Sequence, residues 1–329
     1  MEPDVPADDD ACSRSTIALD PVVARLVAAS ATPPGLDDLG PVAGRQALLE
    51  AQGDDRVEDC DVETAFRVAP VRPSGLVGYW TFRPVGVTTP RPILLYVHGG
   101  RWMLGDAHTH ARLITELVRR TGAVALVPEY SRTPEARYPV ALEECYALLT
   151  WAVENADELG LRADRTAVAG DCAGATLATA VTMLAHERGG PRLRAQLLYY
   201  PLTDARCDSE SHRRFSTGYL LTSAALRHYW EEYLGSPDKH ALATASPSRA
   251  TDELLRGLPP ALVVTAEADV ARDEGEQYAA RLREAGVEAT AVRFLGTVHD
   301  FVALNALRDS PPSLAAVEHG SAFLRARLC

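Results

Sequence analysis

The amino-acid sequence predicts an α/β protein with a doubly wound, mostly parallel sheet. Short apolar runs alternate with longer helical patterns from about residue 90 to the C-terminus. The runs, such as Ile93-Leu94-Leu95-Tyr96-Val97, lack polar alternation, as strands buried on both faces do. The chain has 329 residues, 47% of them hydrophobic, which allows one large α/β domain or two small ones with ample apolar residues for a core.

The elements follow in order. Residues 1 to about 15 are Pro-, Asp- and Ala-rich without periodicity, and are expected to be disordered. Two short helical patterns run from Leu19 to Glu50, split by Pro33-Pro34-Gly35. Val62 to Phe82 alternates as a hairpin interrupted at Pro70 and Pro73. Strands are then predicted at 93–97, 123–127, 165–169, 195–200, 261–265 and 289–294. Helices are predicted at 111–120, 138–159, 173–188, 274–285 and 313–328. Residues 203–250 break the alternation and hold a helix at 223–233. They read as an insertion that covers the site together with the N-terminal helices. The expected organisation is therefore 1–55 for the disordered start and cap helices, 56–202 and 251–329 for the core, and 203–250 for the cap insertion.

Composition narrows the function classes. A net charge of −12 is the wrong sign for nucleic acid or an anionic membrane surface. No segment approaches the roughly 20 apolar residues of a membrane span, and the acidic start is unlike a secretory leader. Six scattered cysteines (12, 60, 145, 172, 207 and 329) do not form a dense disulfide framework. A cytoplasmic protein with reduced thiols is expected. Monomer and homodimer both fit the composition.

The chemistry begins at Gly170-Asp171-Cys172-Ala173-Gly174, between a predicted strand and a predicted helix. This is a nucleophile elbow with cysteine at its centre. The sharp turn lifts the central side chain above the sheet, and a helix N-terminus there favours a thiolate over a thiol. Cys145, in contrast, lies in an apolar helical stripe and reads as core. His98-Gly99-Gly100-Arg101-Trp102 follows the strand ending at Val97. Such a loop turns its amides toward one point, so Gly99 and Gly100, with the amide of Ala173, are candidate oxyanion donors. Each such donor is worth roughly 3 kcal/mol of barrier. His98 is read as orienting the loop. An acid and a base then follow in chain order: Asp269 past one strand and His299 past the next. His299 would take the thiol proton and Asp269 would orient the imidazole. Asp171, Asp204 and Asp273 read as turn or salt-bridge residues. His108 and His110 lie two apart, which does not point them the same way on a helix, so no metal site is expected. No cofactor motif is present.

Together these residues resemble the hormone-sensitive-lipase-like family of α/β-hydrolases, in its bacterial carboxylesterase branch. The family's H-G-G-G loop looks like His98-Gly99-Gly100-Arg101 and its G-D-S-A-G-G elbow like Gly170 to Ala175. Its Y-R-L-A-P-E element looks like Tyr130 to Glu135, its D-P-L-R-D-E-G segment like Asp269 to Gly275, and its H-G-F like His299-Asp300-Phe301. The resemblance, from about Leu19 to the end, implies an α/β-hydrolase core under a helical cap, with the triad named above. Three positions depart from it: Cys172 for serine, Arg101 for the third loop glycine and Asp300 for the glycine after the histidine. Arg101, Trp102 and Asp300 are thus candidate substrate contacts.

Four readings follow. A Cys172-Asp269-His299 triad hydrolyses esters or thioesters through a thioester acyl-enzyme. An acyltransferase or cyclase of secondary metabolism takes its acyl group from coenzyme A or a carrier protein. A serine esterase carries Cys172 as a substitution. Or the fold serves as a non-catalytic receptor, which has no need of a base and an orienting acid. A small acyl substrate is the expected partner in the first three.

Overall fold

A computed structural model describes residues 17–53, 61–71 and 75–329. The segment expected to be disordered, together with Cys12, Cys60 and Pro73, lies outside them. One sheet of eight strands organises the chain: β1 (Val62–Val71), β2 (Gly75–Pro84), β3 (Arg91–Val97), β4 (Val124–Pro128), β5 (Leu161–Asp171), β6 (Gln196–Tyr199), β7 (Ala261–Ala268) and β8 (Ala289–Val298). Their order is β1-β2-β4-β3-β5-β6-β7-β8. The hairpin β1–β2 and the β2–β4 contact are antiparallel, and every other pair is parallel. Strands β4 and β6 are wholly buried and β3 is nearly so, which is why their sequences read as continuous apolar runs.

The helices are α1 (Pro21–Ala29), α2 (Pro41–Gln52), α3 (Ala111–Thr121), α4 (Val140–Glu154), α5 (Ala173–Glu187), α6 (Glu210–Arg214), α7 (Ser223–Leu234), α8 (Asp252–Leu255), α9 (Arg272–Glu284) and α10 (Pro311–Leu328). Helix α4 packs on α5 and α3 on α10, and α9 lies against β7 and β8. Cys145 is fully buried on α4, as its apolar stripe predicts. None of the described helices is long and apolar enough to cross a membrane.

Several boundaries differ from the sequence reading, and three of the differences have a clear local reason. Strand β1 runs through Pro70, because an edge strand loses no ladder bond to a missing N–H. Helix α4 starts only after Pro139 and stops at Glu154, where Asn155 folds its side chain back onto Trp151 O at 2.8 Å. Strand β8 continues past Phe294 to Val298 through a break in register against β7, near Ala266 and Ala268. The break sits at Gly296, whose φ is 71° and whose amide donates to Glu267 Oε2 at 2.7 Å. That irregular extension carries the chain to His299.

Candidate active site

Four parallel strands end at the same edge of the sheet, and each is followed at once by a residue of interest. After β3 comes the loop from His98, after β5 Cys172, after β7 Asp269 and after β8 His299. The carboxyl edge of an open parallel sheet is where such folds place their sites.

Cys172 has φ 52° and ψ −125°, the strained turn of an elbow, and its amide donates to Tyr199 O at 2.9 Å. The turn is possible because β5 and α5 touch. A side chain at Gly170 would collide with the backbone of Gly174 at 2.6 Å, and one at Gly174 would collide with the carbonyls of Val97 and His98 at the end of β3. Cys172, Asp269 and His299 are all essentially buried.

Asp269 Oδ2 accepts from His299 Nδ1 at 2.8 Å, and its Oδ1 accepts from the amide of Ala271 at 2.9 Å. The carboxylate therefore both braces the turn ahead of α9 and fixes the imidazole. Since an ionised carboxylate only accepts, the proton sits on Nδ1. His299 Nε2 is buried with no hydrogen-bond partner. It faces Cys172 and Asp300: one donor atom from each of the three residues lies within 4.8 Å of the others. Burial disfavours a charged imidazole, but Asp269 first and Asp300 second override it. They hold the His299 pKa well above the ordinary histidine value. Tyr200 packs its ring 4.9 Å from the imidazole.

The loop after β3 corrects one expectation. The amide of Gly99 is not free for an oxyanion; it donates to Asp171 Oδ1 at 3.0 Å. Gly99 is glycine for a steric reason, since a side chain would sit 2.2 Å from Asp171 Oδ2. The amides of Gly100 and Ala173 donate to no acceptor among the described residues. Of the three amides that the sequence singles out, these two remain unbonded. Asp171 also accepts from Tyr96 at 2.7 Å and pairs with His110 at 3.2 Å. Burial opposes that ion pair on both sides, yet each partner overrides it: Asp171 is held below the usual carboxylate range and His110 above the usual imidazole range. His98, buried and next to a charged His110, is pushed down to about 3. It stays neutral, stacked on Tyr130 at 4.3 Å.

Two of the three candidate substrate contacts are spoken for. Arg101 is buried and bonded to Asp37 Oδ1 at 2.7 Å, beneath the ring of Tyr229. A buried guanidinium needs a carboxylate, and the segment between α1 and α2 supplies it, so Arg101 is no open anion receptor. Trp102 stacks on Tyr233 at 4.5 Å and meets Trp230 at 4.3 Å. Both residues tie other segments, the stretch between α1 and α2 and helix α7, to the loop. Asp300 is different. It holds φ 65°, reaches to 3.6 Å from His299 Nε2, and keeps part of its carboxylate exposed.

Sequence reasoning missed Asp37, Tyr96, His110 and Tyr229. A buried acid at Asp171 signals that some partner exists, but His110 lies 61 residues away. No local pattern points to it.

Fold and site together define the α/β-hydrolase class. Comparison with known proteins agrees: the family described as alpha/beta hydrolase fold matches residues 94–303. The chain is 37% identical to a thermostable esterase from Pseudomonas putida, with a TM-score of 0.92 over 95% of this chain and 99% of that one. It is 38% identical to the carboxylic ester hydrolase LipN of Mycobacterium tuberculosis over 78% of this chain and 68% of that protein. It is 34% identical to an ethyl acetate hydrolase of Pseudomonas putida over 65% of this chain and 67% of the relative. The chain belongs to the α/β-hydrolase family, in its hormone-sensitive-lipase-like branch.

Proposed function

We propose that this enzyme hydrolyses carboxylic esters or thioesters with Cys172 as nucleophile, His299 as base and Asp269 as the orienting acid. One observation carries the reading: Cys172 stands at the strained elbow opposite an unpartnered imidazole nitrogen whose other nitrogen is tied to a carboxylate. The esterase relatives support hydrolysis as the reaction class.

The steps follow from the placement. Cys172 Sγ attacks the acyl carbon and its proton passes to His299 Nε2. Asp269 and Asp300, by raising the imidazole pKa, favour that transfer. The amides of Gly100 and Ala173 hold the oxyanion. The carbon–oxygen or carbon–sulfur bond to the leaving group breaks, and Nε2 returns the proton to that group. A thioester on Cys172 remains. Water then attacks the thioester carbon while Nε2 takes one of its protons, and the acid leaves as the thiol is restored.

The test is intact mass and product release with a short-chain p-nitrophenyl ester and, separately, an acyl thioester. An adduct on Cys172 with steady turnover to free acid supports the hydrolase. An adduct that clears only with an amine, thiol or alcohol identifies an acyltransferase or cyclase. One that never clears fits a serine enzyme carrying a cysteine, and Cys172→Ser then raises turnover by orders of magnitude. No adduct with any donor overturns the nucleophile assignment and favours a receptor.

A further inference from the structure

We infer that Cys172, His299 and Asp300 form a binding site for a borderline-soft divalent cation of the zinc class, one that competes with acyl donors for the thiolate. The inference is independent of which acyl donor the enzyme uses.

The three residues offer a thiolate sulfur, an imidazole nitrogen and a carboxylate oxygen, with one atom of each inside 4.8 Å. Tetrahedral zinc bound through such atoms holds them about 3.3–3.6 Å apart, given metal–ligand lengths of roughly 2.0–2.3 Å. His299 Nε2 and Asp300 Oδ1 already stand 3.6 Å apart. Nε2 is buried, has no partner and points into the cluster.

The surroundings match what a metal-bound histidine requires. Such a histidine gives its other ring N–H to a carboxylate, which fixes its tautomer and raises its basicity. His299 does this with Asp269 at 2.8 Å. Cys172 and Asp300 each contribute one negative charge when ionised, which offsets a divalent cation. Arg101, a cation near the cluster, is already paired with Asp37 at 2.7 Å. Cys172 and His299 are fully buried and Asp300 keeps 24% of its side chain exposed, so an ion would have to enter along Asp300, and a water would fill the fourth position. Two of the three ligands stand at the positions where this chain departs from the motifs it otherwise resembles. Binding releases the thiol proton to solvent, forms a sulfur–metal bond and leaves no free thiolate to attack an acyl carbon.

The probe is cobalt(II) titrated into chelator-treated, desalted full-length protein. The expected result is one equivalent bound, with a near-ultraviolet sulfur-to-cobalt charge-transfer band that zinc(II) abolishes by displacement. Alkylation of Cys172 by iodoacetamide should slow in the same proportion as the site fills. Cys172→Ser should lose the charge-transfer band. Asp269→Asn should weaken binding about 10–100-fold, as loss of an outer carboxylate does, and Asp300→Gly should weaken it more. Glycine suits the positive φ at that position, so the Asp300→Gly variant should fold; Asp300→Asn, with the same shape and no charge, serves as a second check. Absence of the charge-transfer band in the folded wild type would overturn the site. So would equal affinity in wild type and both Asp300 variants. Acyl-adduct formation by metal-free protein is measured separately, so failure here and failure of the acyl-transfer reading are distinguishable.

Discussion

Two buried histidine–carboxylate pairs flank the elbow, and they do opposite jobs. In His110–Asp171 every polar atom is occupied: Nδ1 meets Thr109 Oγ1 at 2.9 Å, Nε2 meets Asp171 Oδ2, and Asp171 Oδ1 accepts from Tyr96 and Gly99. In His299–Asp269 the carboxylate is occupied but Nε2 is not. A saturated pair is structural, because any change of protonation breaks a bond. An unsaturated pair leaves a nitrogen able to take a proton or a metal ion. The two pairs differ by one hydrogen bond that the fold left unmade, and the proposed chemistry rests on it.

The comparison breaks most visibly in kinetics. Removing the proposed nucleophile (Cys172→Ala) or the open pair's histidine (His299→Ala) should lower kcat at least about 10³-fold. The urea midpoint should stay close to wild type for Cys172→Ala, whereas His299→Ala also strands the buried Asp269 carboxylate and should lower it. A variant that turns over normally would show that the unpartnered nitrogen is idle.

The closed pair should behave in reverse. His110→Leu strands a buried carboxylate and should cost about 3–5 kcal/mol of unfolding free energy, read from urea titrations. The sign with pH is fixed by the direction of each shift. His110 is held above its ordinary 6.5, so its contribution is complete below that value and fades as pH rises through the raised one. Asp171 is held below its ordinary 3.8, so its contribution is complete above that value and fades as pH falls through the lowered one. The stability gap between wild type and variant should therefore be widest between pH 3.8 and 6.5 and shrink on either side. A gap independent of pH would mean that packing, and not charge, is what His110 supplies.

A smaller effect is expected where the loop after β3 is tied to the stretch between α1 and α2. Arg101→Met removes a charged hydrogen bond and leaves Asp37 partly exposed, so about 1.5–3 kcal/mol should be lost, with limited proteolysis near residues 30–40 as a second readout. The smallest belongs to Arg45–Glu135, whose carboxylate is mostly exposed even though Arg45 draws it down to about 2. Glu135→Gln should change stability by about 0–1 kcal/mol. A larger loss would show that Arg45, which also bonds Met103 O and Thr133 O, relies on Glu135 for its position.

Most of the fold was legible in the linear sequence, because its signals are local. Buried parallel strands are short apolar runs, helices repeat every third or fourth residue, and an elbow needs small residues at fixed offsets such as Gly170 and Gly174. Cys172, Asp269 and His299 were legible for the same reason. Each directly follows a strand, and parallel strands bring their carboxyl ends to one edge whatever the loops between them do. The sequence by itself thus determined the alternation, the chain order of the reactive groups and the chemistry each can offer.

Only the tertiary structure decided which of those groups are free. Gly99, Arg101 and Trp102 stand where the sequence offers them to substrate, yet Asp171, Asp37 and the rings of Tyr233 and Trp230 have claimed them. Asp300, one residue past the histidine, was left facing it. Whether a polar atom is spent depends on partners far away in the chain, because burial makes every donor and acceptor seek the nearest complement in space, and sequence separation does not enter that choice.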